Sequence, residues 1–453
     1  MHEGPLIERC NAVVDLAYEA ADLNSPRGRV FGAPPIGETQ LRLDDPPRKA
    51  SIVIVGAGMV GVGLACLLSE FHDWPEGVVL IGGHDHLFEP LFSIMERLGQ
   101  RVMRSSYEHQ IAPDRKLQLL DFARLHAGEL TERERVQVRL GIAGQRSIVP
   151  ADLFMAHCRH VAVSSGIPRL AFRFPVEAIE RDASGNAGWI IRDRIGRRMA
   201  ADAVVLATGS SPQRDLVVQS ARRTLLPYDT DLSFDRGQRV AVVGSGLTAG
   251  HVLSRCVESG ATATWFLRQR EQYRCADFDT SYFRTEGLQR FRSLSQSARL
   301  QVLERERRGS LMPEMAELVR QWTNSGAVRQ IVADQLQPAA TAFADFDIVV
   351  VATGTAPNGS LISKSAGWAS RLYPLVDDGS LEVLGCAKLY AAGALASYGL
   401  GPAARTIDGA RLAAQRIIPS LRSAFGLPIP ATRFGSAMRG TFSIGTWRSK
   451  CAV

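Results

Sequence analysis

Two continuous apolar runs stand out along the chain, SIVIV at residues 51–55 and VAVV at 240–243. Each predicts a strand buried on both faces of a parallel sheet, because such strands lose the polar alternation of a half-exposed one. A glycine-rich turn follows each run at once, and then a helix-like stretch, over 62–69 after the first and to about Leu253 after the second. Between them, helix-like and irregular segments alternate up to about Leu170. Two acidic-flanked strand candidates come next, ending in ADAVVLATGSSP. From about Gln238 the strand–helix alternation starts again and closes with FDIVVVATGTAP. A last strand-and-helix pair, KLYAAGALASYGLGPAARTIDGARLAAQRI, precedes a tail rich in small and polar residues. Residues 1–49 read as an arm, with a short helix near 13–23 and then a stretch too rich in proline and glycine for regular structure. Compact order is expected from Ser51.

The large repeat in this pattern is glycine turn, ATG strand, glycine turn, ATG strand. The first turn is Gly56-Ala57-Gly58-Met59-Val60-Gly61. At this spacing the first glycine permits the tight turn, the second lets a pyrophosphate approach the backbone, and the third lets helix and strand pack closely. The anion then rests on the free N–H groups of the helix N-terminus. An acidic residue for the ribose is due at the end of the next strand, but VVLIGGHDH has Gly82 and Gly83 there. Either Asp85 reaches round or the ribose is held in another way.

The second turn is Gly244-Ser245-Gly246-Leu247-Thr248-Ala249, with alanine as the permitted last residue. Its next strand ends in Arg268 and Arg270 instead of an acid. Guanidinium groups there favour a 2′-phosphate, hence NADP over NAD; the plain alternative is two solvated arginines on a loop. Two dinucleotides are therefore expected at once, a resident FAD on the first fold and a visiting NADPH on the second. The ATG runs at Ala207–Gly209 and Ala352–Gly354 put small residues where the chain passes close to a cofactor.

Composition narrows the class. The 453 residues give room for two or three domains, and 45% hydrophobic with 22% charged residues is ordinary for a globular protein. No apolar run reaches the roughly 18 residues of a membrane span. The start, MHEGPLIERC, carries acids where an export signal would be basic and then apolar, so a cytoplasmic protein is expected. Seven scattered cysteines without a CxxC argue for reduced thiols and against a structural zinc site, and no metal is expected. The net charge of +7 comes from dispersed arginines and fits phosphate-bearing cofactors or acidic partners better than nucleic acid.

The motif order resembles the two-dinucleotide-fold flavoproteins, in which an NADPH domain is inserted into a split FAD domain. Three further runs, VMRSSYEHQIAPDRKLQLLDFARLH, CADFDTSYFRTEGLQRFRSL and LYAAGALASYGLGPAARTI, resemble those of the ornithine and lysine N-hydroxylases, class B flavin monooxygenases. With the glycine turns, the likeness covers about residues 50–420. The fold it implies is α/β with two Rossmann-like domains. These are an arm at 1–49, an FAD domain at 50–225 and 346–430, an NADPH domain at 226–345 and a tail at 431–453.

The resemblance implies that NADPH reduces FAD, that O2 adds to the flavin at C4a, and that the resulting hydroperoxide oxygenates an uncharged amine. It places Met103, Gly209, Gly354, Gly393 and Leu400 beside the cofactors, and Arg104 where the family has a flavin-contacting glutamine. Substrate positions are altered: His109 stands for a lysine, Thr285 for an asparagine beside a family-like Glu286, and Tyr398 for a histidine. His109 and Thr285 could equally be surface residues and Tyr398 a buried ring, while Arg104 is read as lying near the flavin or an NADP phosphate rather than as a surface charge. The family often forms dimers or tetramers, which makes a homo-oligomer an expectation. Two rival readings are an NADPH–FAD electron-transfer reductase serving a ferredoxin-like partner and a cofactor-binding protein without turnover.

Overall fold

The computed structural model describes residues 23–111, 117–185, 188–213, 222–228, 232–332, 343–362 and 367–429. The helix expected near 13–23 and the tail at 431–453 lie essentially outside these residues. The first apolar run forms the strand Lys49–Val55, buried from Ala50 onward. It pairs in parallel with Val78–Gly82 on one side and Arg198–Leu206 on the other. Ala171–Arg173 extends the first edge. Strand Arg198–Leu206 serves two partners along its far edge. Its first half joins the antiparallel hairpin of Val176–Arg181 and Trp189–Asp193, and its second half pairs in parallel with Leu389–Ala391.

Helix Met59–Ser69 covers this sheet and is buried continuously from Gly61 to Leu68, as expected of a helix enclosed on both sides. Its outer neighbour is the C-terminal helix Gly409–Ala424. Gly63 makes the crossing close: a Cβ there would lie 2.8 Å from that of Ala410.

The second sheet has five parallel strands in the order Thr224–Leu225, Ile348–Val351, Arg239–Val243, Thr262–Leu267 and Val328–Val332. Sheet membership widens the inserted unit beyond 226–345, because Thr224–Leu225 and Ile348–Val351 belong to it. The second ATG strand thus completes the second fold before the chain returns to the first. The two crossings between the units, Ser210–Pro212 and Thr355–Pro357, pair with each other as an antiparallel ribbon.

Compact order begins earlier than Ser51. Phe31 and Leu41 are core residues of the first unit. Arg29 forms ion pairs with Glu134 at 2.7 Å and Asp152 at 2.9 Å. Single apolar residues at irregular spacing carry no periodic signal, so only docking reveals their burial. A second tertiary feature is the excursion between Thr262–Leu267 and Val328–Val332. Its Phe278, Tyr282, Leu288, Phe291 and Leu303 leave their own sheet and pack into the first core. In return Leu98, Val102 and Ile148 of the first unit pack with Val252 and Leu253 of the second. Among the described residues no helix is long and apolar enough to cross a membrane.

Candidate functional site

The two glycine turns are near copies. Gly56 has φ +120° and Gly244 +136°, where an L side chain is strained. A Cβ on Gly56 would lie 2.2 Å from the carbonyl oxygen of Ala207, and one on Gly244 2.2 Å from that of Ala352. Each ATG run therefore closes over the first glycine of its own turn. A Cβ on Gly61 would lie 1.8 Å from Gly56 O, which fixes the close approach of helix and strand. At Gly58 a Cβ meets nothing within 4 Å, so this face is open. Gly58 and Gly246 are the N-caps of Met59–Ser69 and Leu247–Ser259, and neither helix start has a side-chain cap. Their first N–H groups are left for an anion. In the second turn Trp265 Nε1 donates to Gly244 O at 2.6 Å, and Ala249 is fully buried beneath it. Ser245 and Thr248 are half-buried on the same turn.

The missing ribose acid has a steric cause. A Cβ on Gly82 would stand 2.8 Å from Ala57 Cβ and 2.9 Å from Leu41 Cδ2, so the docked arm fills the place. Asp85 is exposed and paired with Arg173 at 3.1 Å. Phe88, buried and left-handed at φ +62°, donates its N–H to Ala57 O at 2.9 Å and pins the first turn. No sequence pattern marked it. Arg268 and Arg270 are exposed at the end of Thr262–Leu267 and have no ion-pair partner among the described residues. The sites fit the two dinucleotides: an open second glycine and uncapped helix start in the first fold, free guanidinium groups in the second.

The other residues expected beside the cofactors have these positions. Met103 is buried in a two-residue strand against Val149. Gly209 and Gly354 leave open space where a Cβ would point, just before the interdomain ribbon. A Cβ on Gly393 would come within 3.3 Å of Val60 on the first fingerprint helix, and Leu400 is buried.

The three runs after the fingerprints meet one another. The ring of His109 lies 5.0 Å from that of Phe283, which lies 5.0 Å from Phe278. Nδ1 of His109 bonds the buried carboxylate of Asp408, which also pairs with Arg411 at 2.6 Å. Burial disfavours the imidazolium, but Asp408 outweighs it and holds the His109 pKa above its ordinary value. Asp408 is correspondingly lowered despite its burial. The charge of His109 is therefore engaged within the protein. Thr285 and Glu286 are exposed in the first turn of Thr285–Arg292, two and three residues beyond Phe283. Tyr398 is a buried ring, with the Arg299 guanidinium 5.3 Å from its centre and Arg299 held bidentately by Asp378 at 2.8 Å.

Arg104 points into the junction of the two units. It pairs with Asp277 and donates to Ser310 O at 2.6 Å and Ser310 Oγ at 3.2 Å. Neighbouring Gly309 lies on the second glycine turn, since a Cβ on it would be 2.6 Å from Gly246 N. Arg307, Tyr373 and Arg405, which no sequence pattern marked, gather at the same junction, with Arg307 and Arg405 both close enough to the Tyr373 hydroxyl to act on it and Arg104 near Arg405. Arg405 was visible as a lone charge in a run of small residues, but its neighbours were not.

A family profile described as pyridine nucleotide-disulphide oxidoreductase matches residues 183–416, just over half of the chain. The protein is therefore an oxidoreductase with two dinucleotide-binding folds, and the chain belongs to the pyridine nucleotide-disulphide oxidoreductase family. Among solved structures it is similar to the FAD-bound cadaverine monooxygenase of desferrioxamine biosynthesis from Erwinia amylovora. The TM-score is 0.63 at 14% identity, over 84% of this chain and 96% of that one. The Kutzneria sp. 744 ornithine N-hydroxylase, with reduced FAD, NADP+ and L-ornithine, gives 0.61 at 15% identity, over 83% and 100%. The bacillithiol disulfide reductase of Bacillus cereus gives 0.50 at 16%, over 83% and 99%. At these identities the likeness is one of fold. No curated protein matches the sequence. Cys158, Cys256 and Cys386 are buried free thiols.

Proposed function

We propose that this protein is an FAD- and NADPH-dependent monooxygenase that N-hydroxylates a small amine or amino-acid-like substrate. One observation carries the reading: Arg104, next to Met103 in the run that follows the first fold, reaches Ser310 beside the second glycine turn. Residues serving the two dinucleotides thus converge on one junction, where the three N-hydroxylase-like runs also meet.

Bound FAD would supply hydride acceptance and oxygen activation. Gly56, Gly58 and Gly61 would hold its pyrophosphate on the first helix. Gly244, Ser245, Gly246 and Thr248 would hold that of NADPH, and Arg268 and Arg270 would take the 2′-phosphate. Phe278 and Leu400 are buried and Phe283 is half-buried against the same core, an apolar surrounding that would exclude water and favour the uncharged form of an amine. His109 does not replace the carboxylate-gripping lysine, because Asp408 already takes its charge. Free ornithine and lysine are accordingly poor substrates. An electron-transfer reductase for an acidic protein is the second reading, favoured by the net charge of +7.

The test is a panel of amines and amino acids for substrate-stimulated NADPH oxidation, with oxygen uptake and hydroxylamine product measured together. One or more amines yield a hydroxylated product, and ornithine is not the best of them. Reduction of a ferredoxin without amine-dependent oxygen uptake would replace this reading with the second.

A further inference from the structure

We propose that Arg104, Arg307 and Arg405, with Tyr373, form an oxyanion-binding subsite at the junction of the two units, taking one carboxylate or phosphate group of a bound ligand. The proposal rests on the reading above for the identity of the ligand, but not for binding of the anion.

Charge accounting at the junction is the first argument. Arg104 pairs with Asp277. Arg405 reaches the same aspartate only at 3.9 Å, and its other partner is the neutral carbonyl of Glu306 at 3.3 Å. Arg307 donates to the carbonyl of Thr355 at 2.8 Å and has no carboxylate partner among the described residues. The nearby Glu306 carboxylate is occupied, bonding Arg305 at 3.0 Å and the Asp279 N–H at 3.2 Å. Arg104 and Arg405 therefore share one aspartate, and the neighbouring Arg307 adds a third guanidinium without a carboxylate among the described residues.

Burial is the second argument. The Arg104 side chain is 10% exposed, and its Nε lacks a hydrogen-bond partner. Burial first, then repulsion from Arg307 and Arg104, lowers the pKa of Arg405 in spite of Asp277 and Tyr373. Arg405 is 28% and Asp277 44% exposed, so the cluster is half-buried and open to an outside ligand; like charges there with too few counter-ions are costly, and an anion would complete the set. Guanidinium forks match the planar or tetrahedral oxygens of carboxylate and phosphate.

Position is the third. Arg307 binds the interdomain ribbon at Thr355, Arg104 follows Met103, and Arg405 closes the third run. The subsite thus stands beside the crossing between the two units. An anion here would replace the carboxylate anchor that His109 no longer offers.

The experiment titrates inorganic phosphate into the FAD-loaded protein carrying Arg268→Ala and Arg270→Ala, so that the 2′-phosphate site is silent. Thermal stability and the visible flavin spectrum are followed. In this background phosphate binds saturably, and adding Arg405→Gln or Arg307→Gln weakens binding ten-fold or more, with partial recovery in Arg405→Lys. In anion-free buffer Arg405→Gln is at least as heat-stable as its parent, because a costly charge is gone. A parent without saturable binding, or glutamine variants with unchanged phosphate affinity, would overturn the subsite. A loss of heat stability in Arg405→Gln without loss of phosphate affinity would do the same, assigning Arg405 a structural role. With Arg268 and Arg270 restored, two arms separate the sources. A ten-fold rise in NADPH KM without amine marks a cofactor phosphate. Loss of stimulation by carboxylate-bearing amines, with plain diamines unaffected, marks the substrate. The phosphate result stands or falls even if no amine is ever hydroxylated.

Discussion

At the residue scale, the glycines of the first turn separate folding from binding. Gly61 has no room for a methyl group, with Gly56 O 1.8 Å from a built Cβ. Gly61→Ala is expected to destabilise the fold by about 3 kcal/mol or more through forced backbone shifts. Gly58 is extended and open, so Gly58→Val should leave the melting temperature of the cofactor-free protein nearly unchanged while abolishing its yellow colour. A yellow Gly58→Val protein would remove FAD from this turn. His157 gives a prediction about pH. It is fully buried beside Phe122, neither ring nitrogen has a partner among the described residues, and burial with a contribution from His160 pushes its pKa down to about 3. Below about pH 6.5 the unfolded chain binds this proton and the folded one does not. Stability is then lost as pH falls, by about 1.4 kcal/mol per pH unit. His157→Leu should flatten the decline of melting temperature between pH 6.5 and 5; an unchanged slope would show that another group titrates.

At the element scale, each fingerprint is a strand end, a turn and a helix start whose N–H groups have no internal partner. Selectivity lies one strand further on. Thr262–Leu267 ends in the exposed Arg268 and Arg270, while Val78–Gly82 ends in a glycine closed off by Leu41. A charge-assisted contact to phosphate is worth about 1.5–3 kcal/mol, so Arg268→Ala or Arg270→Ala should raise the NADPH KM about ten-fold or more. Steady-state kinetics with NADH, which lacks that phosphate, should hardly move. Equal effects on both cofactors would place the arginines elsewhere than at the 2′-phosphate.

For the whole molecule, the coupling of the two units depends on their junction. Arg146 of the first unit grips Glu314 of the second bidentately at 2.8 and 3.0 Å, with the glutamate side chain only 2% exposed. Removing one partner of such a buried pair leaves an uncompensated charge and costs about 3–5 kcal/mol, whereas replacing both with apolar groups costs much less. Calorimetry should therefore find Glu314→Leu markedly destabilised and the double variant Arg146→Leu/Glu314→Leu substantially recovered. Additive losses in the double variant would mean that the two side chains act separately.

The sequence by itself determined the elements whose signal is local. Four apolar residues in a row specify a strand enclosed on both faces, and small residues at positions one, three and six of a turn, glycine at the first two, specify how close backbone and helix must come. Those rules depend on neighbours along the chain, so 51–61 and 239–249 were legible without coordinates. The alanines of the two ATG runs were legible as small residues, but not as carbonyls pressed on Gly56 and Gly244. Only the tertiary structure decided what depends on distant partners. It put Leu41 where a ribose acid would stand, gave the charge of His109 to Asp408, and carried Phe278 to Leu303 from the second fold into the first core. It also brought Arg104 and Arg405 to one aspartate, with Arg307 beside them. None of these has a period or a spacing, because burial and charge balance are set by whichever segments the packed fold brings into contact.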